Sequence, residues 1–379
     1  MTLAHFDWWY IALAATSVGI LMPIAIRSRS FGCDEPGGVQ KLHHSATSRL
    51  GGVVIVIGIF IVLGVARKLG YADLASALPL ALAALPVVVA GLAEDLTGSV
   101  RPRYRMIAAV VSGAIASFYA GGVIPRLDIP LVDSLLEQSW IVLPLTWFMV
   151  AGSCNATNLI DGANGLASGT AMIMFGGIAV AAGWSGDPKT LAEALTMMGL
   201  LGGFLAWNYP RGRVFLGDAG AYFAGFMYAQ LSIRLIARND GISAWYVIML
   251  AAYPICDTLF AMYRRGAVRG RPLMAPDRLH LHTLIFRRVA MPIERRTAQP
   301  DRVRANARVA PRLWLHGLLC LAVAIVLRAN TLALWLGIAG YAIFYLHQYR
   351  LLVRSRWWQR ELLWAGLERR RSVKRSTAA

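Results

Sequence analysis

Residues 50–66 read LGGVVIVIGIFIVLGVA, a run without one charged side chain, closed by Arg49 on one side and by Arg67 and Lys68 on the other. A helix of this composition is apolar on every face rather than along one stripe, so it belongs in a very large core or in lipid. A membrane-spanning helix needs about 20 mostly apolar residues, with a range of roughly 17–25. Working outward from this run, comparable stretches lie near 8–26, 75–92, 106–121, 140–154, 167–184, 193–209, 217–236, 243–262, 313–328 and 331–348. Eleven spans are therefore expected, in an all-α polytopic membrane protein. Composition agrees. Of the 379 residues 57% are hydrophobic and only 15% charged, and the mean hydropathy is +0.53. A soluble domain carries about 25% charged residues, and a disordered chain needs low hydrophobicity, so both classes are excluded. The four cysteines, at 33, 154, 256 and 320, have the spacing of neither a zinc module nor a disulfide scaffold.

The net charge of +18 and the pI near 10.4 would fit a nucleic-acid binder, but in an apolar chain excess Lys and Arg mark the cytoplasmic loops. With the N-terminus outside and the C-terminus in the cytoplasm, the inner segments are 27–49, 93–105, 209–215, 263–312 and 349–379. They hold 31 of the 38 Lys and Arg. The others are Arg67, Lys68, Arg126, Lys189, Arg234, Arg238 and Arg328. The charge is thus a sidedness signal, the partner it implies is the bilayer, and no nucleic acid is expected. The first span is not a cleavable signal by pattern: Asp7 precedes it, while Arg27 and Arg29 follow. Residues 1–348 read as one integral membrane domain. Residues 349–379 read as a basic cytoplasmic tail whose run Arg369-Arg370-Arg371-Ser372-Val373-Lys374-Arg375 either lies on anionic lipid or is solvated. No internal repeat is visible.

The unusual polar clusters all fall on the inner side. Asp34-Glu35-Pro36 through Lys41, His43, Arg49, Gly51 and Gly52 is either an ordinary basic loop or a phosphate-binding one. Glu94 and Asp95 end the third span, with Arg101, Arg103 and Arg105 close behind. Adjacent carboxylates at a membrane boundary are costly unless paired or metal-bound, so a salt-bridged helix end and a base or metal pair both fit. Residues 155–169 read NATNLIDGANGLASG. Asn158 and Asp161 are three apart, which puts them on one face of a helical turn, and the glycines permit a close ligand. Such a loop can offer hard oxygens to a cation or hydrogen bonds to a nucleobase. In Phe215-Leu216-Gly217-Asp218-Ala219-Gly220 the lone carboxylate of Asp218 is a helix cap, a ligand or both. Asp257, near the inner end of a span, requires a partner, for which Arg264 or Arg265 is available. In Pro276-Asp277-Arg278-Leu279-His280-Leu281-His282 the two histidines alternate by two, so in extended chain they face one way. Without Cys or an HExxH spacing, phosphate binding or proton handling fits them better than zinc.

In order from about residue 31 to residue 288, these clusters resemble the motifs of the polyprenyl-phosphate N-acetylhexosamine-1-phosphate transferase family (glycosyltransferase family 4). Asp34, Pro36, Lys41, His43, Arg49, Gly51 and Gly52 resemble its D-x-P…K-x-H…R-x-G-G stretch. Glu94-Asp95 resembles its paired acidic motif, and Asn155 through Ala167 its N-A-x-N-x-x-D-G-x-[DN]-G-L-A signature. Phe215–Gly220 resembles F-x-G-D-x-G, and Asp277–His282 resembles D-R-x-H-x-H. The chain departs from the usual pattern at Glu94, where Asp is common, at Asn164, often Asp, at Thr283, often a third His, and at Ala221, often Ser. The D-R-x-H-x-H ending is closer to the GlcNAc branch than to the pentapeptide branch.

The resemblance implies transfer of a sugar 1-phosphate from a UDP-sugar, by default UDP-GlcNAc, to undecaprenyl phosphate, with release of UMP. That would initiate a lipid-linked envelope polysaccharide such as O-antigen, at the bacterial inner (plasma) membrane. A UDP-6-deoxy-N-acetylhexosamine is the alternative donor. The resemblance also implies Mg²⁺, which Mn²⁺ could replace, held by Asp218 with Asn158. It makes Glu94, Asp95, Asp161, His280 and His282 the catalytic candidates. Lys41, His43, Asn155, Asn158, Asp161, Gly162, Ala163, Asn164 and Arg278 become the substrate-binding ones, on a cytoplasmic-face site to which the 263–312 loop brings the H-x-H motif. A homodimer is compatible with all of this. The physics agrees: one substrate is a charged nucleotide and the other a long lipid, and two phosphates must meet against their repulsion, which makes positioning and charge stabilisation the main tasks. Two other classes fit less well. A secondary transporter would place its carboxylates near the midplane and show paired halves. A CDP-alcohol phosphatidyltransferase would need an A-R step and trailing acids after Asp161-Gly162, which are missing here.

Overall fold

The computed structural model describes residues 9–27, 33–34, 47–71, 77–270, 272, 277, 279–297 and 301–354. Its helices are α1 Trp9–Arg27, α2 Gly51–Lys68, α3 Leu78–Ala83, α4 Leu85–Thr97, α5 Pro102–Tyr119, α6 Pro130–Leu136, α7 Ser139–Leu159, α8 Leu166–Ser185, α9 Pro188–Asn208 and α10 Gly217–Arg238. They continue as α11 Ala244–Leu250, α12 Ala252–Tyr263, α13 Leu281–Ile285, α14 Met291–Glu294, α15 Arg302–Ala307, α16 Val309–Leu327 and α17 Thr331–Arg354, with π-helical turns at Arg264–Val268 and Phe286–Ala290. Strands β1 (Cys33–Asp34) and β2 (Thr47–Ser48) pair antiparallel, Cys33 opposite Ser48.

Within the described residues, each of the eleven apolar stretches is mainly helical. Among the described residues, six helices are long and apolar enough to cross a membrane, and a bent pair, α11 with the α12 segment, would make a seventh. The remaining stretches fall short by length or composition. The stretch expected at 75–92 is two helices, α3 and α4, each with proline at its start, because proline cannot donate to the preceding turn. The second of these runs on past residue 92 through Glu94 and Asp95 and stops at Gly98, in left-handed backbone. The stretch expected at 243–262 is also broken: α11 and the α12 segment meet at 75°, with Pro254 in the first turn of α12.

The centre of the bundle is α10, buried along most of its length although it carries Asp218, Gln230 and Arg234. It packs on α2, α4, α7 and α8, while α1 packs on α9 and α16 on α8. The outer surface is apolar: Ile20, Phe148 and Val326 are 68%, 72% and 74% exposed. In water such a surface would be an association patch. In lipid it is the expected finish of a multi-pass membrane protein.

Candidate active site

The site is built around the first turn of α10. Gly217 has a φ of +71°, and a Cβ there would stand 2.5 Å from both the Arg49 carbonyl and Asp95 Oδ2. Only glycine fits. The segment from β2 into α2 is joined to this turn through the backbone. The Phe215 N–H donates to the Ser48 carbonyl (2.8 Å), the Gly51 N–H to the Phe215 carbonyl (3.1 Å) and the Gly52 N–H to the Leu216 carbonyl (2.9 Å). A Cβ on Gly52 would lie 2.2 Å from the Gly220 nitrogen. The paired glycines therefore exist to let two backbones touch, and the R-x-G-G and F-x-G-D segments form one unit.

Helix α4 approaches from another side. A Cβ on Gly91 would stand 2.5 Å from the Ala219 nitrogen, so this crossing is also backbone against backbone. One turn on, Asp95 caps α10: the Asp218 N–H donates to Oδ1 (2.9 Å) and the Ala219 N–H to Oδ2 (3.0 Å). A carboxylate at a helix N-terminus satisfies free N–H groups and opposes the positive end of the dipole. The cap of α10 is thus Asp95, and Asp218 keeps its own carboxylate for other partners. Glu94 turns away and accepts from the Val100 N–H (2.7 Å), closing the turn after α4. Asp95 is 5% exposed. Burial pushes its carboxyl up to about 7, against the Ala219 N–H and the charges of Arg49 and Arg105.

Asp218 Oδ1 accepts from Asn158 Nδ2 at the end of α7 (2.9 Å). Its buried Oδ2 forms an ion pair with Arg105, whose guanidinium stands over the Tyr222 ring (6.0 Å). Asp161, half-buried just beyond α7, is pushed up to about 7 by burial and next by the Asp95 charge, with Arg49 opposing. Asp161 thus lies within electrostatic reach of Asp95, which caps the turn that bears Asp218. No group of three or more His, Cys, Asp or Glu suited to a metal occurs among the described residues. Mg²⁺ takes one or two carboxylates and completes its shell with waters and substrate phosphates. The hard oxygens of Asp218 and Asn158, with one buried carboxylate oxygen facing only a guanidinium among the described residues, fit that requirement.

The H-x-H segment reaches the same end of the bundle. A Cβ on Gly162 would lie 2.1 Å from His282 Nε2, so the 155–169 loop and the H-x-H segment touch through a glycine. The His280 and His282 rings are parallel, 5.6 Å between centroids and 6° between planes, but not by alternation in extended chain: His280 is the extended cap residue of α13 and His282 lies within that helix. Burial pushes the His282 imidazole down to about 4, with the neighbouring His280 next in effect, and its Nδ1 is buried without a hydrogen bond. The expected partner of Asp257 is corrected. Arg264 pairs instead with Asp277, and Arg265 Nε donates to the Ala261 carbonyl (3.1 Å). Asp257 bonds His280 Nδ1 (2.8 Å), the Leu281 N–H (3.1 Å) and the Tyr345 hydroxyl (2.7 Å). Arg264 and Arg265 lie on the π-helical turn, and His280, the cap residue of α13, meets Asp257 in their place.

Gly162 and Asn155 are half-buried in this region, and Ala163 is buried. Asn164 is 6% exposed, and its side chain donates to the Pro210 carbonyl (3.0 Å) while its N–H donates to Asn306 Oδ1 (2.8 Å). Asn208 Oδ1 accepts from the Gly165 N–H (2.5 Å), and Trp314 Nε1 donates to the Gly165 carbonyl (3.1 Å). Asn164 therefore holds the loop in shape. Lys41, His43 and Arg278 lie outside the described residues, as do Pro36, the tail 355–379 and the Asp34 side chain. Sequence reasoning gave no role to Asn208, Asn306 or Tyr345. Each sits alone in its stretch, with no local spacing to mark it. Arg105 was visible only as one of three nearby arginines.

Fold and site together define a multi-pass, all-α membrane protein with a carboxylate- and amide-lined centre at one end of its bundle. The family model for glycosyl transferase family 4 matches residues 77–236. A probable undecaprenyl-phosphate N-acetylglucosaminyl 1-phosphate transferase of Bacillus subtilis is 30% identical over 255 residues, 66% of this chain and 68% of the relative. A phospho-N-acetylmuramoyl-pentapeptide-transferase of Shouchella clausii is 32% identical over 245 residues, 59% of this chain and 73% of the relative. An undecaprenyl-phosphate alpha-N-acetylglucosaminyl 1-phosphate transferase of Thermotoga maritima is 26% identical over 211 residues, 56% and 62%. The chain belongs to glycosyl transferase family 4, among the polyprenyl-phosphate N-acetylhexosamine-1-phosphate transferases.

Proposed function

We propose that this protein transfers N-acetylhexosamine 1-phosphate, with GlcNAc the first choice, from a UDP-sugar to undecaprenyl phosphate at the inner face of a bacterial plasma membrane. An oxygen of the lipid phosphate attacks the sugar-linked phosphorus, the bond from that phosphorus to UMP breaks, and UMP leaves with the electron pair. One pyrophosphate is made as another is lost. In this reading all eleven helical stretches cross or enter the bilayer, with the N-terminus outside and the C-terminus in the cytoplasm, and the product starts a lipid-linked envelope polysaccharide.

One observation carries the reading: Asp95 takes over the capping of α10, so the Asp218 carboxylate is not spent on its own helix end and faces Asn158 and Arg105 instead. Asp218 and Asn158 are the residues that would hold Mg²⁺. The ion would offset the repulsion between the two substrates' phosphates and the charge that builds on departing UMP. Arg105 holds Asp218 in place and adds positive charge. The N-terminus of α10, oriented by Asp95, points its dipole at the same volume. Asp161 and Asp95, both with raised carboxyls, are placed to orient the lipid phosphate, which is itself largely ionised near neutral pH (second pKa about 6). The His280–His282 pair flanks the loop and supplies imidazole nitrogens to phosphate or sugar. The names of the relatives support the substrate class.

The test is a panel of UDP-sugars, including UDP-GlcNAc and a UDP-6-deoxy-N-acetylhexosamine, given to the detergent-purified protein with undecaprenyl phosphate and Mg²⁺. UMP release that depends on both lipid and Mg²⁺ is expected, strongest with one donor. Release without the lipid acceptor, or none with any donor, would reject the function.

A further inference from the structure

Behind the two histidines lies a buried relay that the reaction scheme above leaves without a task. Asp257 on α12 is 1% exposed. It accepts the Tyr345 hydroxyl and the Leu281 N–H on Oδ1 (2.7 and 3.1 Å), and it meets His280 Nδ1 through Oδ2 (2.8 Å). A carboxylate only accepts, so this contact requires the proton on Nδ1. His280 Nε2 has no hydrogen-bond partner among the described residues. Next to it His282 is 6% exposed, with its Nδ1 buried and unpartnered.

The relay is anchored by α17, which lies beyond the segment that carries the recognised motifs. Tyr345 and Tyr349 are one turn apart on it. The Tyr349 hydroxyl accepts from Arg264 Nη1 (3.1 Å), and Arg264 in turn pairs with Asp277. Two hydroxyls of one helix therefore hold Arg264 directly and His280 through Asp257. An amphipathic pair at i and i+4 is the spacing that puts both on one face.

We propose that Asp257 and Tyr345 are positioning residues for His280: they lock its imidazole with the proton on Nδ1, so that Nε2 is the atom presented to the phosphate-bearing substrate. The proposal rests on the transferase reading for the identity of that substrate, but not for the geometry of the relay. In Asp257→Asn the amide oxygen inherits the two donors, Tyr345 and Leu281. The NH₂ group then faces His280, and the ring must accept on Nδ1 and carry its proton on Nε2. The substitution keeps the volume and reverses the tautomer.

Three readouts test this on the full-length protein in detergent. The first is kcat and KM for UDP-GlcNAc. Asp257→Asn should lower kcat about 10–100-fold, the usual cost of losing a histidine's orienting partner, with little change in KM. Tyr345→Phe should do the same more mildly, and the thermal midpoint controls for folding. The second is a double-mutant cycle. In a His280→Ala background, Asp257→Asn should cost almost nothing further. The third is ¹⁵N NMR of labelled histidine, with His280 assigned by difference from His280→Ala. It should show Nδ1 protonated in the wild type and Nε2 protonated in Asp257→Asn. Normal kcat in Asp257→Asn, losses that multiply in the cycle, or an unchanged tautomer would each overturn the proposal. If the wild type processes no UDP-sugar, the transferase reading fails alone, because the NMR experiment needs no turnover.

Discussion

Asp95 and Asp161 hold carboxyls that burial pushes up to about 7, well above the usual value near 3.9. Burial therefore favours the protonated form of each up to about pH 7. Their contribution to stability is therefore complete below the usual value and is lost as pH rises through about 7. Without Mg²⁺, the thermal midpoint in detergent should fall between pH 5 and 8, and Asp161→Asn should flatten that fall. Mg²⁺ held by Asp218 and Asn158 would favour the charged forms of the neighbouring Asp95 and Asp161, so its stabilising effect should be larger at pH 8 than at pH 6. An Mg²⁺ effect independent of pH would separate these carboxylates from the metal. Asp218→Asn, which leaves Arg105 beside a neutral amide, should lower UMP release roughly 10²–10³-fold, the scale of losing a central charge-stabilising group. Wild-type turnover in that variant would remove Asp218 from the metal site. At this scale much was legible. Asp95, Asn158, Asp161 and Asp218 stand out as polar groups at the ends of apolar runs. What the sequence left open was the division of labour between Glu94 and Asp95, because adjacent residues on a helix point about 100° apart and only the packing of α4 on α10 says which one faces the site.

At the scale of elements, the site depends on glycine contacts between helices. Gly52 and Gly64 lie on the same helix, α2. A Cβ at Gly52 would meet the Gly220 backbone at 2.2 Å, whereas at Gly64 it would meet nothing within 4 Å. Backbone cannot move aside as a side chain can, so Gly52→Ala should cost about 1–3 kcal/mol of overpacking and reduce activity by displacing the turn that bears Asp218. Gly64→Ala should gain up to about 1 kcal/mol from helix propensity. Thermal midpoints and UMP release of the two variants check the contrast, and equal behaviour would show that the crossing is not tight. The helices themselves were readable from their apolar runs. The break at Ala84 and the 75° bend before α12 were signalled by prolines but not located by them, since proline forbids one hydrogen bond without choosing the direction of the bend.

At the scale of the molecule, the two ends of the bundle use polar groups differently. Near the far end of α10, Arg234 pairs with Glu193, both buried, and the Arg126 guanidinium donates to the carbonyls of Ile236, Asn239, Asp240 and Ile242. These groups close chain ends and hold helices together. Glu193→Ala strands a buried guanidinium and should cost about 3–5 kcal/mol, whereas replacing both partners by leucine should recover most of the loss. A thermal midpoint for each variant decides. Sidedness is testable too. Reporter fusions within 155–169 and at 277–282 should report the cytoplasm, and a fusion near Arg126 the opposite face. Opposite locations for the first two would contradict the contact between Gly162 and His282.

Fold class, the helical stretches, the charge asymmetry and the resemblance to a transferase family were all determined by the sequence alone. Each rests on local composition and on short-range spacing, and those properties survive without a third dimension. The tertiary structure alone decided that Asp95 caps α10 in place of Asp218, that Asp257 serves His280 rather than an arginine, that Asn164 is bound to the Pro210 carbonyl, and that the last helix supplies Tyr345. These are contacts between segments separated by 23 to 123 positions, and no periodicity encodes them. They follow from which backbones can approach most closely, and that is settled only when all the helices have packed.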